Sequence, residues 1–136
     1  MESAVESAAL TQRTPSVRVL IVDDEPLFVE MVQAMLGGEE GLEIVGTAAN
    51  GQQGARLAAE LDPDVVVMDI SMPVMDGIAA TRAICSRDPK ACVLILTGGS
   101  NVAEIDRART AGASKFMTKD RIAGELVAQI RDLGSK

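Results

Sequence analysis

The chain has 136 residues, which is the length of one ordinary domain and leaves no room for a second of any size. Apolar residues make up 47% of it and charged residues 24%, a balance typical of a globular chain with a sizeable core. Lys and Arg number 13 against 20 Asp and Glu, and the net charge of −7 argues against a nucleic-acid-binding surface, which is normally basic. No apolar run reaches the roughly 20 residues of a membrane span, so we expect neither nucleic acid nor membrane as a direct partner.

Several residue types are missing, and each absence removes a class of chemistry. The chain has no His, which excludes an imidazole base and a histidine metal ligand. It has no Trp or Tyr, and its aromatic residues are Phe28 and Phe116, which argues against stacking a flavin or a nucleobase between rings. Cys85 and Cys92 fit neither a zinc spacing nor a disulfide framework, so we expect two small buried hydrophobes in a reduced, cytoplasmic chain.

The first 16 residues differ in composition from the rest. Glu2 and Glu6 stand where a signal peptide would carry positive charge, and the apolar stretch Ala8–Leu10 is too short for an export signal. We expect residues 1–16 to form a disordered or frayed leader and residues 17–136 to form the domain.

The ordered pattern begins with Val17–Val22, a β-branched run typical of a strand. A helix follows, with Pro26 in its first turn and Gly37-Gly38 at its end. Its apolar residues recur at three- and four-residue spacing and form one face: Phe28, Val29, Val32, Met35 and Leu36. Leu42–Gly46 is predicted to be a second strand, and the polar Glu43 within it favours a place at the sheet edge.

The middle of the chain repeats this alternation. The stretch around Leu57 and Leu61 is rich in small residues and predicts a second helix. Val65–Met68 is apolar without alternation, as expected for a central parallel strand buried on both faces. A third helix is predicted from Gly77 to about Arg87, with Asp76 as its N-cap.

The last part of the chain completes the pattern. Val93–Leu96 predicts a fourth buried strand, and Asn101 to about Ala111 predicts a weakly amphipathic helix with Val102 and Ile105 on its apolar side. Ser114–Met117 predicts a short fifth strand, and a final helix carries a clear apolar stripe: Ile122, Leu126, Ile130 and Leu133. Five strands that alternate with five helices predict an α/β fold with a doubly wound parallel sheet.

The polar residues that could carry chemistry stand where the strands end. Asp23 and Asp24 follow the first strand, Asp69 the third and Thr97 the fourth, and Lys119 comes after the fifth. Ligands of an open α/β sheet bind beyond the carboxyl ends of its strands, so we expect these side chains to converge. Close carboxylates repel one another unless a cation intervenes, and oxygen ligands suit Mg²⁺. A hydroxyl and an ammonium beside that ion predict a site for a tetrahedral oxyanion such as a phosphoryl group.

Four segments together resemble the receiver domain of two-component response regulators. They are Val22–Glu25, Met68–Gly77, Leu96–Gly98 and Gly112–Lys119. Any one of them is a weak signal, but the full set stands in order at the predicted strand ends, and the resemblance covers residues 17–134. It implies a flavodoxin-like (CheY-like) fold, which is a doubly wound five-stranded parallel sheet of order 2-1-3-4-5 with five helices.

The resemblance implies a role for each acidic residue of the set. Asp69 would accept a phosphoryl group from a histidine kinase or a phosphotransfer protein and become an acyl phosphate. Asp23 and Asp24 would hold Mg²⁺ together with Asp69 and the main-chain carbonyl of Ser71. The chain would then be a signalling phosphoacceptor that assists its own phosphorylation and dephosphorylation, and not an ordinary enzyme.

The resemblance also implies a switch. Thr97 would donate its hydroxyl to the incoming phosphoryl group, Lys119 would pair with the phosphoacceptor or its phosphoryl oxygens, and Phe116 would be the aromatic whose rotamer follows Thr97. The altered surface would bind a downstream protein of unknown identity, and a homodimer is a further candidate. The small Ser71 and Gly99 stand at the positions that overhang the phosphorus in receivers, so we expect a short-lived phosphoryl group.

One departure from the family pattern concerns the residue after the lysine. Many receivers have Pro there, often after a cis peptide bond, but Asp120 disfavours that bond because cis costs about 2.5–4 kcal/mol without proline. The pair Lys119-Asp120 instead resembles receivers of LuxR-class (NarL/FixJ-like) regulators, although no DNA-binding segment follows Lys136 in this sequence. Two alternatives stay open: a free-standing receiver, which the natural-looking start at Met1 favours, or a receiver fragment of a larger DNA-binding regulator.

Ordinary structural roles are the alternative for every residue of the set. The acidic pair could cap a helix, the threonine could end a strand, the lysine could be solvated and the phenylalanine could lie in the core. Asp69 could cap a loop, although a charge that ends a fully apolar strand is costly without a partner. Together these roles would require five coincidences at one sheet edge. A functional alternative is a phosphorylation-independent scaffold that binds proteins through the receiver shape, and the intact acidic set argues against it. Ser71, two residues after Asp69, argues against an aspartyl-phosphate phosphohydrolase, which usually has a second acid there.

Overall fold

The computed structural model describes residues 16–99 and 102–135, so all of the expected leader except Ser16 lies outside the described residues. Strands and helices alternate from Val17 onward, as the sequence predicts. The elements are β1 Val17–Val22, α1 Pro26–Gly37, β2 Leu42–Ala48, α2 Gly51–Leu61, β3 Val65–Asp69, α3 Gly77–Arg87, β4 Cys92–Thr97, α4 Val102–Ala111, β5 Lys115–Thr118, a 3₁₀ turn Lys119–Arg121 and α5 Ile122–Gly134. Among the described residues, no helix combines the length and the apolar composition that crossing a bilayer requires.

The five strands form one parallel sheet in the order β2-β1-β3-β4-β5, which confirms the predicted fold. Helices α1 and α5 cover one face, where Val32, Leu36 and Leu126 pack against the strands. Helices α3 and α4 contribute Ile84 and Ala108 to a second core on the opposite face. Burial on both faces explains why β3 is apolar without alternation, and the exposed Glu43 lies on the edge strand β2 as predicted.

Three local predictions need correction. Val102 was expected on the apolar side of α4, but it is 70% exposed because it is the first residue of that helix. The buried residues of α4 are instead the small Ala108 and Ala111, which let the helix lie close to the sheet. Cys85 and Cys92 are half-buried rather than fully buried. Strand β5 begins at Lys115, one residue later than expected.

The start of α3 lies against the end of β3, and Gly77 permits this close approach. A Cβ atom on Gly77 would overlap the carbonyl oxygen of Asp69 and lie 2.8 Å from the Cα of Ile70. The backbone N–H of Gly77 donates to the Ile70 carbonyl at 2.9 Å. Asp76 caps the helix, as predicted, by accepting a hydrogen bond from the Ala79 N–H at 2.8 Å. The glycine therefore fixes the distance between this helix and the aspartate that ends β3.

We expect Gly77→Ala to lower the free energy of unfolding by about 1–3 kcal/mol, because the added methyl group overlaps backbone atoms. Gly124→Ala is the matched control, since nothing lies within 4 Å of its Cβ position and it is in α5. Alanine there should raise the free energy of unfolding by about 0.5 kcal/mol through helix propensity. Urea unfolding measures both values, and a stabilised Gly77→Ala protein would contradict this account of the packing.

Candidate functional site

The carboxyl edge of the sheet opens into a cleft of about 630 Å³. Three strands end there with Val22, Asp69 and Thr97, and β5 leads directly into Lys119. The residues that line the cleft are Asp24, Glu25, Asp69, Ile70, Ser71, Thr97, Gly98, Gly99, Glu104 and Lys119. The structure thus brings together the residues that the sequence predicts, since Asp23 contacts the same lysine from the end of β1.

Three carboxylates meet in this cleft. Asp23 is 3% exposed and Asp69 is 5% exposed, whereas Asp24 faces solvent. Each of the three offers an oxygen within 4.8 Å of the others. At that separation the negative charges repel one another strongly in a partly desolvated site. The arrangement therefore favours a cation among the carboxylates.

One cation of the chain already lies there. The Nζ atom of Lys119 is 2.9 Å from Glu25 Oε1, 3.0 Å from Asp23 Oδ2 and 3.4 Å from Asp69 Oδ1. Burial lowers the pKa of Lys119, but its contacts with Glu25 and Asp23 and the charge of Asp69 raise that pKa by more. The lysine consequently stays charged and neutralises part of the acidic cluster.

Asp69 has a strongly altered acidity. Burial, and next the charge of Asp23, raise the pKa of Asp69 from 3.8 to about 6, although Lys119 opposes the shift. A single ammonium therefore does not fully compensate the carboxylates. An additional positive charge at the cluster would stabilise the ionised form of Asp69, which is the form that can act as a nucleophile.

The oxygen atoms of the cluster fit Mg²⁺. Asp23 Oδ1 accepts a hydrogen bond from the Glu25 N–H at 2.9 Å, whereas the buried Oδ2 accepts none of good geometry among the described residues. Oδ2 has only its ion pair with Lys119, so one of its acceptor positions is open to a metal ion. A donor set made of carboxylate oxygens is the one that hard divalent cations prefer. Ser71 is exposed beside this cluster and lines the same cleft.

The Thr97 hydroxyl is hydrogen-bonded to the backbone of Gly99, in the loop that follows β4. Its hydroxyl donates a hydrogen bond to the Gly99 carbonyl and accepts one from the Gly99 N–H at 3.1 Å. A ligand on Asp69 can receive the hydroxyl proton only if the bond to the Gly99 carbonyl is released. Among the described residues, nothing lies within 4 Å of the Cβ position of Gly98 or Gly99 on this side of the cleft.

Known proteins are similar to this chain in sequence and in fold. The family model described as response regulator receiver domain matches residues 19–131. The chain is 37% identical over 119 residues to the transcriptional regulatory protein LnrK of Bacillus subtilis, a match that covers 88% of this chain and 54% of that protein. It is 39% identical over 124 residues to a protein-glutamate methylesterase/protein-glutamine glutaminase of Nocardioides sp., covering 87% of this chain and 34% of that one. The crystal structure of a LuxR-family two-component response regulator from Aurantimonas sp. has a TM-score of 0.83 at 36% identity and covers 88% of this chain and 86% of that chain.

The chain belongs to the response regulator receiver domain family. This confirms the resemblance that the four sequence motifs carry. The receiver domain spans about half the length of LnrK and about a third of the methylesterase.

The predicted switch residue of the receiver domain lies beside the cleft. Phe116 in β5 is half-buried and packs against the core under α3 and α4. The guanidinium of Arg109 in α4 lies 5.2 Å from the centre of its ring. A small cavity of about 160 Å³ is bounded by Thr97, Ile105 and Phe116 among others, which leaves room beside the ring.

Two contacts of Lys119 in the site are not predicted from the sequence. Glu25 contacts Lys119 although it stands outside the predicted metal set, and Phe28 lies under the lysine ammonium at 4.3 Å from the ring centre. The position of Glu25 next to the aspartate pair could have indicated the first contact. The helical spacing of Phe28 indicates only the core, so nothing in the sequence pattern points to the second.

We expect the contribution of Asp69 to the free energy of unfolding of the metal-free receiver domain to fall as the pH rises from about 4 to about 7. The folded-state pKa of Asp69, about 6, lies above its ordinary value of 3.8, so the folded chain binds more protons than the unfolded chain in this interval. At neutral pH the ionisation of Asp69 should lower the free energy of unfolding by about 1–3 kcal/mol. Asp69→Asn should therefore raise the free energy of unfolding at pH 7.5 and have little effect near pH 4, as measured by urea unfolding in the presence of EDTA.

The control for this experiment is Glu60→Gln, which neutralises an exposed carboxylate on α2 away from the cleft. It should leave the pH dependence as it is in the unmodified chain. A destabilising Asp69→Asn at pH 7.5 would contradict the conclusion that ionised Asp69 is held at a cost in free energy.

Proposed function

We propose that this receiver domain accepts a phosphoryl group on Asp69 from a histidine kinase or a phosphotransfer protein, and that Mg²⁺ is required. The observation that carries the proposal is the position of Asp69, whose carboxylate is buried at the end of β3 with Lys119 3.4 Å away. Asp69 also opens into the cleft, so a donor from outside can reach it. The raised pKa of Asp69 supports the proposal, because a bound cation would stabilise the ionised carboxylate.

Asp23, Asp24 and Asp69 would hold Mg²⁺ together with the main-chain carbonyl of Ser71. When bound, the ion supplies positive charge that offsets repulsion between the carboxylates and the incoming phosphoryl oxygens. The open acceptor position of Asp23 Oδ2 and the common reach of the three carboxylates support this assignment.

The transfer itself needs little from the protein besides position and charge. An oxygen of Asp69 forms a bond to phosphorus while the bond between phosphorus and the donor nitrogen breaks, and the electron pair of that bond returns to the donor. Lys119 pairs with a phosphoryl oxygen, and the Thr97 hydroxyl donates to another. Both groups already lie at the cleft.

We further propose that the phosphoryl group acts on the surface formed by α4, β5 and α5 through Thr97 and Phe116. Thr97 and Phe116 line the same small cavity. Release of the Thr97 hydroxyl from the Gly99 carbonyl would change the shape of this cavity and so the space available to the Phe116 ring. Phosphorylation would then shift the population between two arrangements of this surface, because it stabilises one of them through new contacts. The surface so altered would bind a downstream protein or a second copy of the chain, in the cytoplasm.

The alternative is a scaffold that binds proteins through the receiver shape and needs no phosphorylation. Glycine or apolar residues at the three acidic positions would favour it, but Asp23, Asp24 and Asp69 are all present and lie together. The relatives named above are longer than this chain and are named as a transcriptional regulator and a methylesterase. Neither of these activities is proposed for the receiver domain.

We expect incubation with phosphoramidate and Mg²⁺ to add one phosphoryl group to the chain, as detected by intact-mass spectrometry. Asp69→Asn and the addition of EDTA should each abolish the added mass. The matched control is Asp62→Asn, because Asp62 is an exposed residue at the end of α2 with φ 49°, a conformation that Asn adopts readily. Full labelling of Asp69→Asn, or none in the unmodified chain, would remove the support for this function.

We expect the acyl phosphate to be short-lived, because water can approach the phosphorus past Ser71 and Gly99. Both residues are exposed in the cleft, and a Cβ atom on Gly99 would meet no atom of the described residues within 4 Å. Gly99→Arg and Ser71→Lys should each slow the loss of the phosphoryl group by about three- to tenfold, since 1.4 kcal/mol in the barrier is a factor of about ten.

The measurement follows the phosphorylated mass after the donor is removed. Gly37→Arg is the matched control, because Gly37 is exposed at the far end of α1 and also has nothing within 4 Å of its Cβ position. If the two cleft variants lose phosphoryl as fast as the control, steric access does not set the lifetime.

A further inference from the structure

Phe28 lies between the hydrophobic core and the phosphorylation site. It is the third residue of α1, half-buried, and part of its side chain packs against the core under α1 and α5. The Nζ atom of Lys119 lies 4.3 Å from the centre of the ring. At this distance the ammonium interacts with the negative face of the aromatic ring. The proposed transfer assigns no role to this contact.

The other partners of Lys119 are three carboxylates that attract its ammonium toward different sides of the cleft. Asp23 and Asp69 lie on the side of the cleft where the phosphoryl group must bind, and both are candidate metal ligands. The side chain of Glu25 is 64% exposed and is 2.9 Å from the ammonium, so it draws the lysine toward solvent. A divalent cation on the two aspartates would weaken their attraction for Lys119 and would itself repel the ammonium.

The Phe28 ring differs from all three carboxylates in one respect. It carries no charge and no metal-ligating atom, so a cation bound to the aspartates neither occupies it nor reverses its attraction for Lys119. The lysine side chain is only 20% exposed, which limits the competition from water for the ammonium. The ring therefore supplies a contact of Lys119 that persists in every charge state of the site and, unlike the ion pair with the exposed Glu25, does not draw the ammonium toward solvent.

We infer that Phe28 is a positioning residue of the phosphorylation site, whose ring holds the Lys119 ammonium beside Asp69 and against the pull of Glu25. The inference rests on the proposed function, because it concerns the lysine that pairs with the phosphoryl group. It adds a residue that acts through Lys119 and does not itself touch the reacting atoms.

The rate of phosphorylation by phosphoramidate tests this role. Phe28→Leu keeps an apolar side chain for the core but removes the ring, and it should slow phosphorylation by about three- to tenfold, the range expected for a partly buried cation–π contact. Phe28→Tyr keeps the ring and should restore the rate to within about twofold of the unmodified chain. Glu25→Gln should act in the opposite direction and raise the rate by about two- to fivefold, because it removes a weak, exposed ion pair.

A double-mutant cycle separates positioning from a merely structural role. In the Lys119→Ala background, Phe28→Leu should leave the residual rate unchanged within about twofold, since its effect passes through the lysine. A loss of equal size in both backgrounds, or no loss in either, overturns the inference. Glu30→Gln, an exposed carboxylate on the same helix, is the control for Glu25→Gln.

A second measurement does not depend on phosphorylation. The chain has two phenylalanines, so labelling with 4-fluorophenylalanine gives two fluorine signals, which Phe116→Leu assigns. Lys119→Ala should shift the signal of residue 28, and the Lys119-dependent shift should persist when Mg²⁺ is added. Disappearance of that dependence with Mg²⁺ would show that the ring does not hold the ammonium and would overturn the inference. A failure of phosphoramidate to label the unmodified chain, by contrast, would count against the proposed function and leave this fluorine result to stand by itself.

Discussion

The structure of the site depends on two carboxylates that are buried together with too little positive charge. Asp23 and Asp69 are almost fully buried, and Lys119 is the ammonium between them. Parallel strands impose this, because their carboxyl ends meet at one edge and bring the residues that follow them together. Burial, and next the charge of Asp23, raise the pKa of Asp69. A site built in this way is at its most stable only when additional cations or protons arrive, which suits a domain that responds to a chemical change.

Close backbone packing keeps the aspartate of β3 in place. Gly77 allows α3 to lie against the end of that strand. Gly51 allows α2 to lie against the loop before α3, and the Gly51 N–H donates a hydrogen bond to the Met75 carbonyl at 3.0 Å. Within that loop Val74 has φ 69°. The Met75 N–H donates a hydrogen bond to the Pro73 carbonyl at 2.7 Å, and this bond closes a γ-turn with Val74 at its centre. A β-branched residue in this conformation is strained, and such strain persists where surrounding contacts fix the backbone.

Hydrophobic periodicity was sufficient to predict the elements, because strands buried on both faces and helices buried on one differ in pattern. The strand ends predicted which polar residues converge. The prediction for the first turn of α4 is wrong, since Val102 is apolar but lies at the start of the helix, where the described residues leave it 70% exposed. The contact of Lys119 with the Phe28 ring could not be predicted either. Lys119 meets Phe28 91 residues away in sequence (119 − 28), and only the assembled fold sets that distance.

Two hydrogen bonds of Thr97 and one contact of Phe116 would define the starting point of the proposed switch. The threonine hydroxyl is bound to Gly99 on both its donor and acceptor sides, and the Phe116 ring lies under Arg109. In the proposed switch, a phosphoryl oxygen would compete with a hydrogen bond within the loop, and movement of the Phe116 ring would compete with its contact to Arg109. Each of these interactions is worth about 0.5–1.5 kcal/mol, so together they are comparable with the free energies that separate two populated states of a protein. The two arrangements of the proposed switch would thus lie close enough in free energy for one added phosphoryl group to reverse their order.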